Sequence, residues 1–487
     1  MSEKSLRTKI AKFEEKERKW KETKRALKAE LRRTRGRLKE VCENRDKWRS
    51  HCRGQKNSIK SSKVNKRGGE GVNVEKISGH QYSTLVVTLC ISIYILGNCG
   101  LRSSIRILSC LCIIGGLELG KLPSKSSLEN WIKKLGYSIA VSDLPQYSHC
   151  SYSLIIDESM VIGQERLFVI LGVKSFKLGD EALGMSQVKI LSMSAQPSWT
   201  GEQIAAEIKK VTEKEGKSAE YVISDKGSTM LKGINTAGLI RIADIGHEVA
   251  RLTEKHYGTP CLESFLAAAK QSKAKLIMTP SSYLLCPKQR NIARFMNLPP
   301  IIAWGLGVLR NMDKLSPKEQ GLFEWIKAYS ELLTEMSKVF KVTEIILKKI
   351  KNEGLSYSTI EDCLAIFRQQ RPSASIVFSK LLDDIEAHLN GEKDKLPTES
   401  TVWHASSDII ESLFGQYKSR KASNPQHGVT PFILFLPILT KKLPDQDCLD
   451  IDVKGALENV LLSDLKTWNR NHLIENQVFK RKKLFKN

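Results

Sequence analysis

Two short stretches of this chain place a carboxylate at the end of an apolar run. Tyr221-Val222-Ile223-Ser224 leads into Asp225 and then Lys226-Gly227-Ser228, and Ser151-Tyr152-Ser153-Leu154-Ile155-Ile156 leads into Asp157. Such runs read as buried strands, and Gly227 with Ser228 supplies the turn that starts a helix. A carboxylate there sits on the rim of a sheet, where ligands and metals collect in α/β folds. A third acid, Glu411, flanks the helical stripe Ile410, Leu413, Phe414 and Tyr417, so it can face a neighbouring sheet while the stripe packs. Asp408, three residues before it, and Glu158, next to Asp157, could take its place. Cleavage of a phosphodiester by two metals needs oxygen ligands only, and three carboxylates suffice when phosphate and water complete each shell. Asp157 would bridge both ions, with Asp225 holding one and Glu411 the other. Singly, an Asp at a strand end also serves as a cap or turn former. The reading therefore rests on three acids in one element order.

That order is legible around them. Alternation predicts strands at 151–157, 165–173 and 187–194, then a helix from the capping pair Thr200/Gln203 through Ile204, Ile208 and Val211. A strand at 220–224, a helix from Ser228, a strand at 239–243 and a helix starting at Asp244-Ile245-Gly246-His247 come next. Three strands, helix, strand, helix, strand, helix is the order of an α/β ribonuclease H-like fold, in which the first and fourth strands are neighbours. Residues 258–400 lack alternation and read as a large all-α insertion, with helices at 261–272, 291–311, 316–339, 341–353, 358–369 and 375–390. Residues 401–425 then return to the 146–257 core with the Glu411 helix, and 426–487 form a helical tail. In this arrangement Trp403 and His404, close ahead of Glu411, could stack on a displaced base, and for Trp403 packing is the favoured role.

Upstream, apolar residues from Leu6 to Trp48 keep a 4-3 spacing with polar interruptions, which predicts a basic coiled coil over 1–53. A single solvated basic helix is the alternative. Residues 54–75 read as a basic linker. Residues 76–145 hold an apolar helix at 82–97, a second helix marked by Leu101, Ile105, Leu108 and Cys112, and a third after Pro123. The third is expected to start with a Ser126/Glu129 capping box, bury Leu128, Trp131, Ile132 and Leu135, and stop at Gly136. Lys125, Asn130, Lys133 and Lys134 would face outward, as on the recognition helix of a helix-turn-helix DNA-binding domain. An ordinary three-helix core with solvated lysines is the alternative. Arg290 and Arg294 are further candidate phosphate contacts at the start of an insertion helix.

Composition narrows the partner. The 487 residues carry a net charge of +25, of which the first 70 contribute +15 (25 Lys and Arg against 10 Asp and Glu). A polyanion, double-stranded DNA above all, fits that balance. Eleven cysteines without a CxxC pair argue for free thiols in a reducing cytoplasm and against a zinc finger or a secreted protein. The most apolar run, Thr84 to Gly97, is 14 residues long, short of the ~20 that span a bilayer, so no membrane is expected.

On Ile156-Asp157-Glu158-Ser159, Ser224-Asp225-Lys226-Gly227-Ser228, Asp244-x-x-His247 and Ile410-Glu411-Ser412-Leu413-Phe414-Gly415, the chain resembles the DDE transposases of bacterial insertion sequences, within the ribonuclease H-like (retroviral integrase) superfamily. The resemblance spans about residues 75–425. Asp244 and His247 match the C/DxxH pair of hAT-like and Mutator-like members, and the helical insertion is a feature of the hAT-like group. It implies strand cleavage and transfer with two Mg²⁺ ions, for which Mn²⁺ can substitute. It also implies His247 acting beside the metals, or Asp244 only capping its helix, and a homodimer or higher oligomer holding two element ends, nucleoid-associated if bacterial. Two other readings are a catalytically inactive DNA-binding descendant and a structure-specific ribonuclease H-like nuclease.

Overall fold

The computed structural model describes residues 76–485 other than 117–118, 143–144, 163–164, 178, 290–294, 422–424 and 444–447. The predicted coiled coil (1–53) and linker (54–75), as well as Arg290 and Arg294, lie outside the described residues.

Three helices come first: α1 (Thr84–Ile95), α2 (Leu101–Gly115) and α3 (Lys125–Ala140). Being apolar on every side, α1 buries six residues including Val87, Cys90 and Ile91 as a core helix. Among the described residues no helix is long and apolar enough to cross a membrane. In α3 both predicted ends are corrected. Its cap is Ser124, whose hydroxyl accepts the Ser127 N–H at 3.1 Å, while Glu129 is drawn instead to Lys125 (3.7 Å) and Lys133 (2.5 Å). Gly136 lies inside the helix, where a methyl group would stand 1.5 Å from the Leu434 carbonyl oxygen. The helix passes Gly136 because a residue without a side chain lets another backbone come close.

The predicted basic face is corrected as well. Lys133 is paired with Glu129, Lys134 donates to the Leu457 carbonyl at 3.1 Å, and Asn130 is half-buried. Only the first turn of α3, with Lys125, is exposed. A recognition helix needs a free face to enter a groove, and α3 is covered by C-terminal segments.

The chain then becomes a mixed α/β protein. Antiparallel pairs join β1 (Tyr152–Ile162) to β2 (Glu165–Lys174) and β2 to β3 (Val188–Gln196). After α4 (Gly201–Glu215), β4 (Tyr221–Ser224) lies parallel to β1; after α5 (Ser228–Ala237), β5 (Ile240–Ala243) lies parallel to β4. The strand order is β3-β2-β1-β4-β5. Thr200 and Gln203 form the predicted capping box of α4. Both faces of the sheet are buried, which explains the near-continuous apolar runs. Leu154, Ile156, Phe168, Ile170 and Val222 pack with Ile204, Ile208, Met230 and Ile234 of α4 and α5. The alternate residues Ile155, Val169, Leu171, Tyr221 and Ile223 join the larger core on the other side.

That larger core includes α6 (Ile245–Tyr257) and the helical region beyond it. α7 (Pro260–Leu276), α8 (Pro299–Arg310), α9 (Pro317–Phe323), α10 (Ser330–Glu353), α11 (Tyr357–Gln370) and α12 (Ile376–Lys393) follow, and among the described residues of 258–400 no strand interrupts them. Two boundaries differ from expectation. α8 begins at Pro299-Pro300, residues that start helices and do not sit inside them, and α10 runs unbroken where a gap at 340 was expected. α13 (Asp408–Arg420) then lies against β1, burying Ile410, Leu413, Phe414 and Tyr417 as read.

The tail belongs to the opening helices. Residues 431–439 with α14 (Leu436–Leu439), then α15 (Val453–Asn459) and α16 (Leu462–His472), pack on α3, and α17 (Gln477–Leu484) ends the described chain. Residues 76–145 and 426–473 thus share one core, which corrects their reading as a separate domain and a tail. Gly136→Ala is expected to cost about 2 kcal/mol or more through overpacking against Leu434, read as a lowered midpoint in urea unfolding.

Candidate active site

Register and face bring the first two acids together. The parallel pairs Leu154↔Val222 and Ile155↔Ile223 run two residues on to Asp157 and Asp225. Alternation puts Asp157 on the side of Ile155, and Asp225 on the side of Ile223. Both therefore point to the face that α13 and α6 cover. Glu411 lies in the first turn of α13, and Asp157 responds electrostatically to Asp225, His247 and Glu411.

Asp157 is held up by its surroundings. Burial and then the charge of Asp225 push its carboxyl up to about 7, against the pull of the Glu158 N–H at 2.7 Å and of His247. Asp225 accepts the Gly227 N–H at 3.1 Å. Glu411, with its side chain 43% exposed, is raised by burial against the opposing pull of His247. The other candidate third acids are engaged elsewhere. Glu158 takes the opposite side of β1 and pairs with Arg166 at 2.7 Å, and Asp408 pairs with Lys351.

Asp244 and His247 are joined as the spacing suggested. Asp244 caps α6, accepting the His247 N–H at 2.7 Å and facing His247 Nδ1 at 3.0 Å. Its other oxygen accepts the Ser407 N–H at 2.5 Å and the Ser407 hydroxyl at 2.7 Å, which ties α6 to the start of α13. Burial alone would raise Asp244, but these bonds hold it down at about 2, and Asp244 in turn raises His247 to about 9. His247 Nε2 is left facing Glu411 Oε1 at 3.4 Å. One residue thus both caps a helix and orients an imidazolium beside an acid.

Three supporting residues escaped the sequence reading. Arg241 donates to the Ser224 carbonyl at 3.0 Å and the Asp225 carbonyl at 3.2 Å, fixing the backbone that carries Asp225. No sequence signal marks it. Ser407 is a helix-start residue and could have been found from the cap pattern. Lys418, seven residues after Glu411, shares its helix face and was legible by spacing; burial lowers its ammonium while Asp157 and Glu411 oppose that. Trp403 packs, 1% exposed, on Tyr221 at 4.2 Å. His404 is buried beside it, and neither residue is placed to stack on a base. Lys125, Asn130, Lys133 and Lys134 belong to α3, away from the carboxylates.

The donor set, all hard oxygens with an uncompensated Asp157, suits a divalent cation such as Mg²⁺. Among the described residues no three His, Cys, Asp or Glu side chains stand close enough to hold an ion as placed, so binding would require them to draw together. A mixed α/β sheet with an acidic site at its rim defines the class of architecture. No family model and no curated protein matches the chain.

Two outcomes are expected. Asp244→Asn should release His247 from about 9 toward its ordinary value near 6.5, read by NMR titration of the ring, and should destabilise the fold by about 3 kcal/mol by placing amide hydrogens against Ser407. His404, held down to about 4 by burial and then by Lys177, stays neutral in the folded chain while the unfolded chain takes up a proton below about 6.5. Stability should therefore fall by up to about 3 kcal/mol as pH drops from 6.5 to 4, and His404→Gln should flatten that slope in denaturant titrations.

Proposed function

We propose that this chain is a DDE-type DNA transposase with a ribonuclease H-like core, cutting and joining strands at the ends of a mobile element. The observation that carries the reading is the juxtaposition of Asp157 and Asp225, two residues past a parallel register, on the face covered by the Glu411 helix. The strand order β3-β2-β1-β4-β5, antiparallel through β1 and then parallel, supports the ribonuclease H-like assignment. The helical insertion before α13 supports the hAT-like branch.

Asp157, Asp225 and Glu411 would hold the Mg²⁺ ions. Bound there, the cations supply a metal-activated nucleophile and neutralise the leaving oxygen. The chain's own residues act around them. Arg241 and the Gly227 N–H keep Asp225 in place. His247, cationic at neutral pH and oriented by Asp244, offers an N–H to a phosphate oxygen or to Glu411. Lys418 adds a positive charge along the same helix face. Double-stranded DNA is the substrate, and holding two ends calls for at least two chains. Cys90, Cys286 and Cys363 are buried free thiols, in keeping with a reducing cytoplasm.

A DNA-binding descendant without cleavage is the second reading. It is favoured by the exposure of Glu411 and by the absence, among the described residues, of three ligands at holding distance. A cleavage assay separates the two. Labelled duplex carrying the element end, incubated with Mg²⁺ or Mn²⁺, should be cut at the end. Asp225→Asn and Glu411→Gln should each lose on the order of 10³-fold or more in rate. Binding without cutting under either metal would leave the second reading standing.

A further inference from the structure

Beyond the carboxylates, α13 carries a line of cations. Lys418 and Lys421 come after Glu411 on the helix surface, and the ten residues from Glu411 to Lys421 span about 15 Å. Lys421 opens into a groove of 990 Å³ between the far end of α13, the first turns of α3 and the C-terminal segments. Lys125, Lys133, Arg420, Lys421 and Arg470 line it against only two acids, Glu129 and Glu475. The two acids are already taken: Glu129 by Lys125 and Lys133, Glu475 by Lys483. Lys421 and Arg470 have no acidic partner among the described residues. Arg420 is fixed, donating to Gln416 and to Asn98 at 2.6 Å each, with its guanidinium over Tyr94 and Phe435 at 5.4 and 5.2 Å. At the rim Phe479 is 60% exposed, and Lys480, Arg481 and Lys482 stand next to it on α17.

We infer that this groove is the track for the DNA backbone next to the bond that is cut. The cations do not converge on one point, as they would for a single phosphate. Lys125 and Lys133 meet at Glu129 on α3, while Lys421 and Arg470 stand on two other elements. A string of separated cations beside an exposed aromatic ring suits a polyanion that also offers flat bases. Joined to the acids through Lys418, the groove continues the site. At 3.4 Å per nucleotide, the 15 Å of α13 is the length of about four nucleotides. The inference rests on the nucleic-acid reading above and adds where the substrate lies. From α3 it keeps only Lys125, at the exposed first turn.

The test is binding without chemistry. Fluorescence anisotropy of the full chain with a labelled duplex, in EDTA and over a range of salt, is compared between wild type, Lys421→Ala/Arg470→Ala and a control pair outside the groove, Lys209→Ala/Lys338→Ala. The groove pair should weaken binding tenfold or more at low salt and lower the slope of log K against log[salt] by about 2. Lys421→Arg should keep the wild-type slope, and thermal melts should be unchanged. Equal losses in both pairs, or no loss in the groove pair, would overturn the inference. So would duplex binding left intact by the groove pair while binding to phosphatidylserine vesicles is lost. Failure of cleavage with groove-dependent binding would sink the transposase reading alone, and cleavage indifferent to the groove pair would sink this one alone.

Discussion

The Asp244 carboxylate accepts hydrogen bonds from four groups of His247 and Ser407 at the point where β5 ends, α6 begins and α13 arrives from across the insertion. A buried charge in that position is tolerable only because its lone pairs are filled, and its depressed pKa is worth about 2 kcal/mol of preference for the charged form. Everything chemical on the rim is referred to it. It sets the ring of His247, and by holding Ser407 it sets the angle at which α13 presents Glu411. Neighbouring backbone bonds repeat the clamp: Ile245 N–H to the Ala405 carbonyl at 3.0 Å, and His404 N–H to the Tyr221 hydroxyl at 2.9 Å. A chain returning after more than a hundred residues is locked to the sheet by short polar contacts above an apolar seam.

The core of the site was legible because its signals are local. Asp157 and Asp225 end strands whose apolar runs are plain in sequence, and the Thr200/Gln203 box and the Asp244 cap announce their helices within four residues. What failed was long-range. Nothing near Gly136 tells that Leu434, some three hundred positions later, needs its space, so a glycine that permits close packing looked like one that ends a helix. In the same way Lys133 and Lys134 appeared free because Glu129 was assigned to a cap and Leu457 was not in view. Arg241 supports Asp225 through backbone carbonyls, a role that any sequence leaves silent. Trp403 packs as read, and its β-bridges to Phe176 and Leu355 bury His404 along with it, which its nearness to Glu411 did not reveal.

The two ends of the described chain complete one another. α1 to α3 supply most of a core, and residues 431–439 fill the gap beside Gly136 while α15 and α16 close over α3. The opening helices are therefore held to the sheet by the C-terminal segments, and α3 is buttress more than reader. Arg420 links the same parts, its guanidinium resting on Tyr94 of α1 and Phe435 of the tail.

This wiring sets an order of events on the ribosome. The sheet can close once β5 has emerged, but Glu411 is made some 170 residues later, and the segment that covers α3 later still. Domains generally fold as they are synthesised, N-terminal parts first, so a nascent chain carries a finished sheet with an unfinished rim for much of its translation. A molecule interrupted before α13 has two acids and no third, and one interrupted just after it lacks the cover that steadies its opening helices. The rim is completed long after the sheet, close in time to the segments that cover α3.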